Sequence, residues 1–331
     1  MELKMRFTYA DKIFKYVFKY RINFLVGDSA TGKSFVSRAL EGSIVWNKKD
    51  VTERYYFDKS STPKQHRLDL ARAVRGSVVI LDEAYIRSLC KCKMLQVFLQ
   101  APATFIVISR ELSTIGSVPI SPQQCCKIVQ DEQGISRIAP AYPHWKLPAD
   151  RTAFVSEDSG AGNSIWSAVL NVDVCGEYAG NSKVMRKLLA STSMMGCVDT
   201  LSLSGSMSIF ETMYASGEVP IFDIPSIEYL VMQSMHVPER IDNTIYMNFN
   251  PERECTRLLS ELTQHTYSKT ALVGCPLVCT DCNKSECIGK QINIVQGMQT
   301  YLKQLHPEYT FPWETLRHLG DHRTNLFKST L

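Results

Sequence analysis

The hydrophobic positions of this chain fall into short unbroken runs rather than into long alternating ones. Ile22 to Val26 reads Ile-Asn-Phe-Leu-Val, Val78 to Leu81 reads Val-Val-Ile-Leu, and Thr104 to Ile108 reads Thr-Phe-Ile-Val-Ile. Runs of this length without alternation mark strands covered on both faces, as in a parallel sheet. Between them lie stretches with helical spacing. Lys33 to Glu41 predicts a helix that Gly42 ends, and Thr62-Pro63 opens a second one through about Val74. Tyr85 to Gln100 places Ile86, Leu89, Leu95, Phe98 and Leu99 on one helical face. Strand and helix in alternation predict an α/β domain over residues 1–116, with ligands at the carboxyl ends of parallel strands.

A second alternating stretch follows. Residues 117–150 hold Pro119, Pro122, Pro140, Pro143, Pro148 and Gly134, and predict a linker. From Arg151 the pattern resumes with strands at Thr152–Ser156, Val172–Cys175, Thr200–Leu203 and Glu218–Phe222. Helices are expected up to Leu170, up to about Ala190, and over Pro225–Met235. This gives a smaller α/β domain over residues 151–250. A helical tail with a cysteine-rich segment over residues 251–331 completes the organisation, with a helix from Ile288 to Leu305.

The first run ends in Gly27-Asp28-Ser29-Ala30-Thr31-Gly32-Lys33-Ser34, which fits the phosphate-loop pattern G-x-x-x-x-G-K-[ST] at every fixed position. Gly27 and Gly32 allow the tight turn that points amide N–H groups at phosphate oxygens. Lys33 supplies a charge for the terminal phosphates, and Ser34 a hydroxyl for magnesium. The second run ends in Asp82-Glu83. There Asp82 is placed to hold the magnesium shell and Glu83 to act as general base on the attacking water. Ser109, which ends the third run, is a candidate sensor of the terminal phosphate, and Arg110 a candidate phosphate contact.

Over roughly residues 20–115 the chain resembles the additional-strand, catalytic-glutamate branch of P-loop ATPases. That resemblance implies binding and hydrolysis of ATP with Mg2+, with Lys33, Asp82 and Glu83 as catalytic residues. Neither an ABC-type signature nor a helicase motif series accompanies it.

In the second half, Glu157 ends an apolar strand and is followed by the small-residue turn Ser159-Gly160-Ala161-Gly162. This order resembles the TOPRIM fold of topoisomerases, primases and OLD-family nucleases. There a strand-end Glu and a later Asp-x-Asp hold magnesium for phosphodiester chemistry. Gly180-Asn181-Ser182-Lys183 resembles the glycine-lysine turn of OLD-type relatives. No Asp-x-Asp occurs in the chain. Ser204-Gly205-Ser206 stands where it is expected, which leaves Glu157, Asp158 and Asp223 as the acids available. The resemblance therefore implies a degenerate domain more than an active nuclease.

Composition adds three constraints. The 331 residues are 44% hydrophobic and 21% charged, ordinary for a globular protein. No apolar run reaches membrane-spanning length, and the charged N-terminal stretch has no secretory h-region, so a cytoplasmic location and no membrane partner are expected. The net charge of +4 permits a nucleic-acid partner without requiring one. Eleven cysteines without a secretory signal point to thiols or metal ligands rather than disulfides. Cys275, Cys279, Cys282 and Cys287 are spaced near those of a structural zinc site, and their count also suits an iron–sulfur cluster.

The expectation is an ATPase that switches a second domain acting on nucleic acid or a protein effector. An ATP-gated nuclease and a non-catalytic nucleotide-binding module are the alternatives. A homo-oligomer is compatible with either enzyme, because many P-loop ATPases complete their site across a subunit interface.

Overall fold

The computed structural model describes residues 3–9, 12–27, 45–46, 54–57, 77–91, 93–110, 112–115, 118–158, 160–176, 180–234, 244–263 and 284–316. They form two compact units. The first comprises Met1–Pro143 with Arg240–Pro251, and the second comprises His144–Glu239 with Glu252–Leu331. Both are α/β.

The first unit is built on a nine-stranded sheet. In chain order its elements are β1 (Leu3–Tyr9), β2 (Lys12–Phe18), β3 (Ile22–Leu25), β4 (Val45–Trp46), β5 (Arg54–Phe57) and β6 (Val78–Leu81). Then come α1 (Glu83–Lys91), α2 (Leu95–Leu99), β7 (Thr104–Ile108), β8 (Cys125–Gln130) and β9 (Ser136–Pro140). The strand order is β4-β1-β2-β9-β8-β3-β7-β6-β5. From β8 to β5 every neighbouring pair is parallel, while β1 pairs antiparallel with β2, and β8 with β9.

The three apolar runs are the centre of this sheet, and burial on both faces explains why they do not alternate. On one face Leu25, Val78, Ile80, Ile106 and Ile108 join Leu3, Phe14, Tyr16 and Phe18 in one core. On the other, Phe57 stacks on Tyr85 at 5.4 Å and meets Phe98 edge-on at 6.4 Å, which seats α1 and α2. The helix expected over Tyr85–Gln100 is broken in two at Lys93, whose φ is 54°. Residues 125–130 and 136–140, within the stretch expected to be a linker, are strands of this sheet joined by a turn over Asp131–Gly134. Asp131 Oδ1 accepts the Ile135 N–H at 2.9 Å, so a side chain closes the hairpin. Thr244–Asn250 returns to this unit, where Tyr246 packs on Tyr20 with ring centroids 4.9 Å apart.

The second unit carries β10 (Ala153–Ser156), α3 (Gly160–Leu170), β11 (Val174–Gly176), α4 (Asn181–Leu189) and β12 (Met194–Cys197). These are followed by α5 (Met207–Ser216), α6 (Ile227–Ser234), α7 (Pro251–Thr263), α8 (Lys284–Leu305) and α9 (Pro312–Leu316). Its sheet has the parallel order β11-β10-β12. A single parallel bridge from Gly196 to Ile221 continues it. The third strand is therefore Met194–Cys197; where the strand over residues 200–203 was expected, a 3-10 turn over Thr200–Ser202 stands instead, and a second follows at Ser204–Ser206. Trp166, Phe154 and Phe311 stack on Phe222, which centres the core of this unit.

Candidate functional site

In the first unit, five of the residues singled out in the sequence come to one edge of the sheet. Strands β3, β7 and β6 are parallel, with Leu25 beside Ile108 and Val107 beside Leu81. Their carboxyl ends are thus level. Beyond them lie Val26-Gly27, Ser109-Arg110 and Asp82-Glu83. Gly27 has φ 138°, a backbone state that residues with a Cβ avoid, so the glycine at the start of the loop is required by the turn itself. The remaining loop residues, Asp28, Ser29, Ala30, Thr31, Gly32, Lys33 and Ser34, lie outside the described residues.

Each described member is held by its neighbours. The buried Ser109 donates its N–H to the Leu25 carbonyl at 3.2 Å, which ties the end of β7 to the strand that feeds the loop. The Asp82 N–H bonds the Phe57 carbonyl at 3.0 Å, and the Asp82 carbonyl receives the Tyr85 and Ile86 N–H groups. Asp82 is the hinge between strand and helix. Glu83 opens α1, with Oε1 2.7 Å from the Arg87 guanidinium and Oε2 3.1 Å from that of Arg110.

In the second unit, a cavity of about 480 Å3 is lined by Glu157, Asp158, Asn181, Asp199, Leu201, Ser202 and Glu252. Glu157 and Asp158 follow β10, and Asp199 follows β12. The chain leaves β10 for β11 on one side and returns to β12 on the other, so these acids stand at a topological switch point. That is where open parallel sheets bind ligands. Glu157 Oε1 accepts the Asp199 N–H at 2.6 Å, which bridges the two strand ends. Glu252 comes from the first turn of α7. Asn181 donates to the Ser202 carbonyl at 2.5 Å and accepts from Ser206 Oγ at 2.9 Å, so the Gly180–Lys183 turn anchors the 3-10 segment beside the cavity.

The field here is negative. Cys197 is buried, which raises its thiol pKa, and the charge of Asp158 raises it further. Burial likewise raises Cys255, to which the charges of Glu228, Asp199 and Glu252 add. The carboxylates are oxygen donors of the kind that magnesium prefers. Among the described residues, no three His, Cys, Asp or Glu side chains are gathered as ligands around one point.

The sequence reading named Glu157 and Asp158 but missed Asp199 and Glu252. It also named Asp223, which does not line this cavity. Asp223 is buried, its carboxylate is paired with His144 Nδ1, and its N–H donates to His306 Nε2 at 3.2 Å. His306 is fully buried. Cys275, Cys279, Cys282 and the side chain of Cys287 lie outside the described residues. The vicinal Cys125 and Cys126 sit on β8, where burial pushes the Cys126 thiol up to about 12, so it is a poor nucleophile at neutral pH.

Compared with protein-family models, with curated proteins and with solved structures, the chain matches none. No helix among the described residues is long and apolar enough to cross a membrane.

Proposed function

We propose that the first unit binds and hydrolyses ATP with magnesium and that this turnover switches the second unit. The observation that supports the reading is the strand order. Strand β7 stands between β3, which feeds the glycine-lysine loop, and β6, which ends in Asp82-Glu83. An added strand between those two is the arrangement that the resemblance to additional-strand ATPases implies. It also sets Gly27, Ser109, Asp82 and Glu83 along one edge, the side of a parallel sheet where ligands are bound. In this reading Lys33 and the loop amides hold the phosphates. Ser34 and Asp82 hold magnesium, and Glu83 takes a proton from the attacking water. Lys33→Ala should abolish nucleotide binding in a titration with magnesium-ATP. Glu83→Gln should bind but turn over at least a hundredfold more slowly. A Glu83→Gln protein with unchanged turnover removes Glu83 from the mechanism.

The acidic cavity favours one second reading, a nucleotide-gated phosphodiesterase. Four carboxylates repel a nucleic-acid backbone, so a phosphate enters that cavity only beside a cation. In this reading Glu157 and Asp199, whose strand ends are hydrogen-bonded together, would hold magnesium jointly with the phosphate oxygens, and the ion would supply an activated water and a charge for the phosphate. Nicking of plasmid DNA or of RNA should then require magnesium or manganese and vanish in Asp199→Asn. Cleavage that persists in Asp199→Asn and Glu157→Gln would place the activity elsewhere.

A further inference from the structure

Glu83 is held in a way that its proposed role does not explain. A general base needs an oxygen lone pair open to water. Here both carboxylate oxygens are engaged by guanidinium groups, Oε1 by Arg87 and Oε2 by Arg110. The two arginines are not equivalent. Arg87 stands one turn along α1, the helix that Glu83 itself opens, and moves with it. Arg110 comes from a different element. It follows Ser109 at the carboxyl end of β7, between the strand that feeds the loop and the strand that carries the acids. In the ATPase reading a terminal phosphate is bound against the same edge, and it offers more negative charge than one carboxylate. Both arginine side chains are more than half exposed, so the pairs are weak enough to be exchanged. Guanidinium exchanges a carboxylate for a phosphate without loss of geometry, since its fork suits both.

We infer that Arg110 is a positioning residue with two exclusive partners. In the empty site it holds Glu83 Oε2. In the loaded site it turns to the terminal phosphate and releases that oxygen to receive the proton of water. Activation of the base is thereby tied to the presence of the third phosphate, and ADP leaves the clamp closed. This inference rests on the ATPase reading.

Binding linkage tests it. The imido analogue of ATP, which is not hydrolysed, and ADP would each be titrated into the full chain with magnesium. Arg110→Ala should weaken the analogue about tenfold and leave ADP unchanged, with Arg110→Lys recovering part of the loss. Glu83→Gln frees Arg110 from its competitor, so it should tighten the analogue by about two- to fivefold and leave ADP unchanged. In the Arg110→Ala background that gain should disappear. The inference is overturned if Glu83→Gln tightens the analogue equally with and without Arg110, or if Arg110→Ala weakens both nucleotides alike. The exposed position of Arg110 makes loss of folding an improbable source of either result, and a circular-dichroism melt of each variant checks it. Wild-type protein that binds neither nucleotide overturns the ATPase reading and this inference together; binding without the Arg110 dependence overturns this inference alone.

Discussion

Gly162 and Asp158 compete for one space. A Cβ built on Gly162 lies 2.4 Å from both Cβ and Cγ of Asp158, so the first turn of α3 can pass this buried acid only because residue 162 has no side chain. Gly162→Ala must push Asp158 at its root, where no rotamer change relieves the clash. It should destabilise the protein by about 1–3 kcal/mol, read as a lower urea midpoint. An unchanged midpoint would mean that α3 shifts freely. His306 makes a separate, pH-dependent prediction. Burial lowers its pKa from 6.5 to about 4, and its Nε2 accepts the Asp223 N–H, which only neutral imidazole can do. The folded value lies below the unfolded one, so the unfolded chain takes up the proton first as pH falls. This contribution is complete above about pH 6.5 and is lost toward pH 4, on the order of 3 kcal/mol. His144 runs the other way. Its hydrogen bond to Asp223 raises its pKa, so its contribution is present below about 6.5 and fades as pH rises, but its exposure keeps the effect small. Urea unfolding between pH 7 and 4.5 should show a shallower loss in His306→Gln than in wild type; parallel curves would contradict this account. At this scale the sequence was readable where local order sets the position, as for Gly27 after β3 and Asp82-Glu83 after β6. Glu252 and His306 were not readable, because only tertiary folding brings them to their partners.

Element boundaries decided what else could be read. Strand β12 was missed because Met194-Met195-Gly196-Cys197 has no β-branched residue and a glycine inside it, while Thr200-Leu201-Ser202-Leu203 has the better strand propensity. Pairing with β10 overrode propensity, and the shift hid Asp199 as a strand-end acid. The prolines of residues 117–150 suggested a linker, yet the hairpin of β8 and β9 tolerates them because they flank its strands or end them. The N-terminal hairpin of β1 and β2 was hidden because Lys4, Arg6, Lys12 and Lys15 gave the stretch a charged character, although Phe14, Tyr16 and Phe18 recur at every second position and are buried. In the second unit Arg151 ties two strands together. It is buried, and its Nη1 donates to the carbonyls of Ser191 at 2.8 Å and Met194 at 3.2 Å, which joins the entry of β10 to that of β12. Nη2 reaches Glu218 at 2.8 Å, whose side chain is 64% exposed. Arg151→Met leaves two carbonyls and one acid unserved and should cost about 2–4 kcal/mol. Glu218→Gln should change stability by less than about 0.5 kcal/mol. Equal losses in the two variants would mean that the ion pair, rather than the carbonyl bonds, holds the strands.

For the whole molecule, the chain passes between two units three times, at residues 143–144, 239–240 and 251–252. The last crossing hands the chain from a segment packed on Tyr20 in the first unit directly to Glu252, which lines the acidic cavity of the second. The sequence made the α/β character of the chain legible, since unbroken apolar runs are local signals. It gave no sign that residues 240–251 belong to the first unit, because a return segment has no composition of its own. The account as a whole stands on hydrolysis of ATP at the edge formed by β3, β7 and β6. The most direct measurement is phosphate release by the full chain with magnesium-ATP, beside Lys33→Ala and Glu83→Gln. The account predicts steady turnover by the wild type, none above background in Lys33→Ala, and at least a hundredfold loss in Glu83→Gln. Equal phosphate release by all three proteins would contradict it.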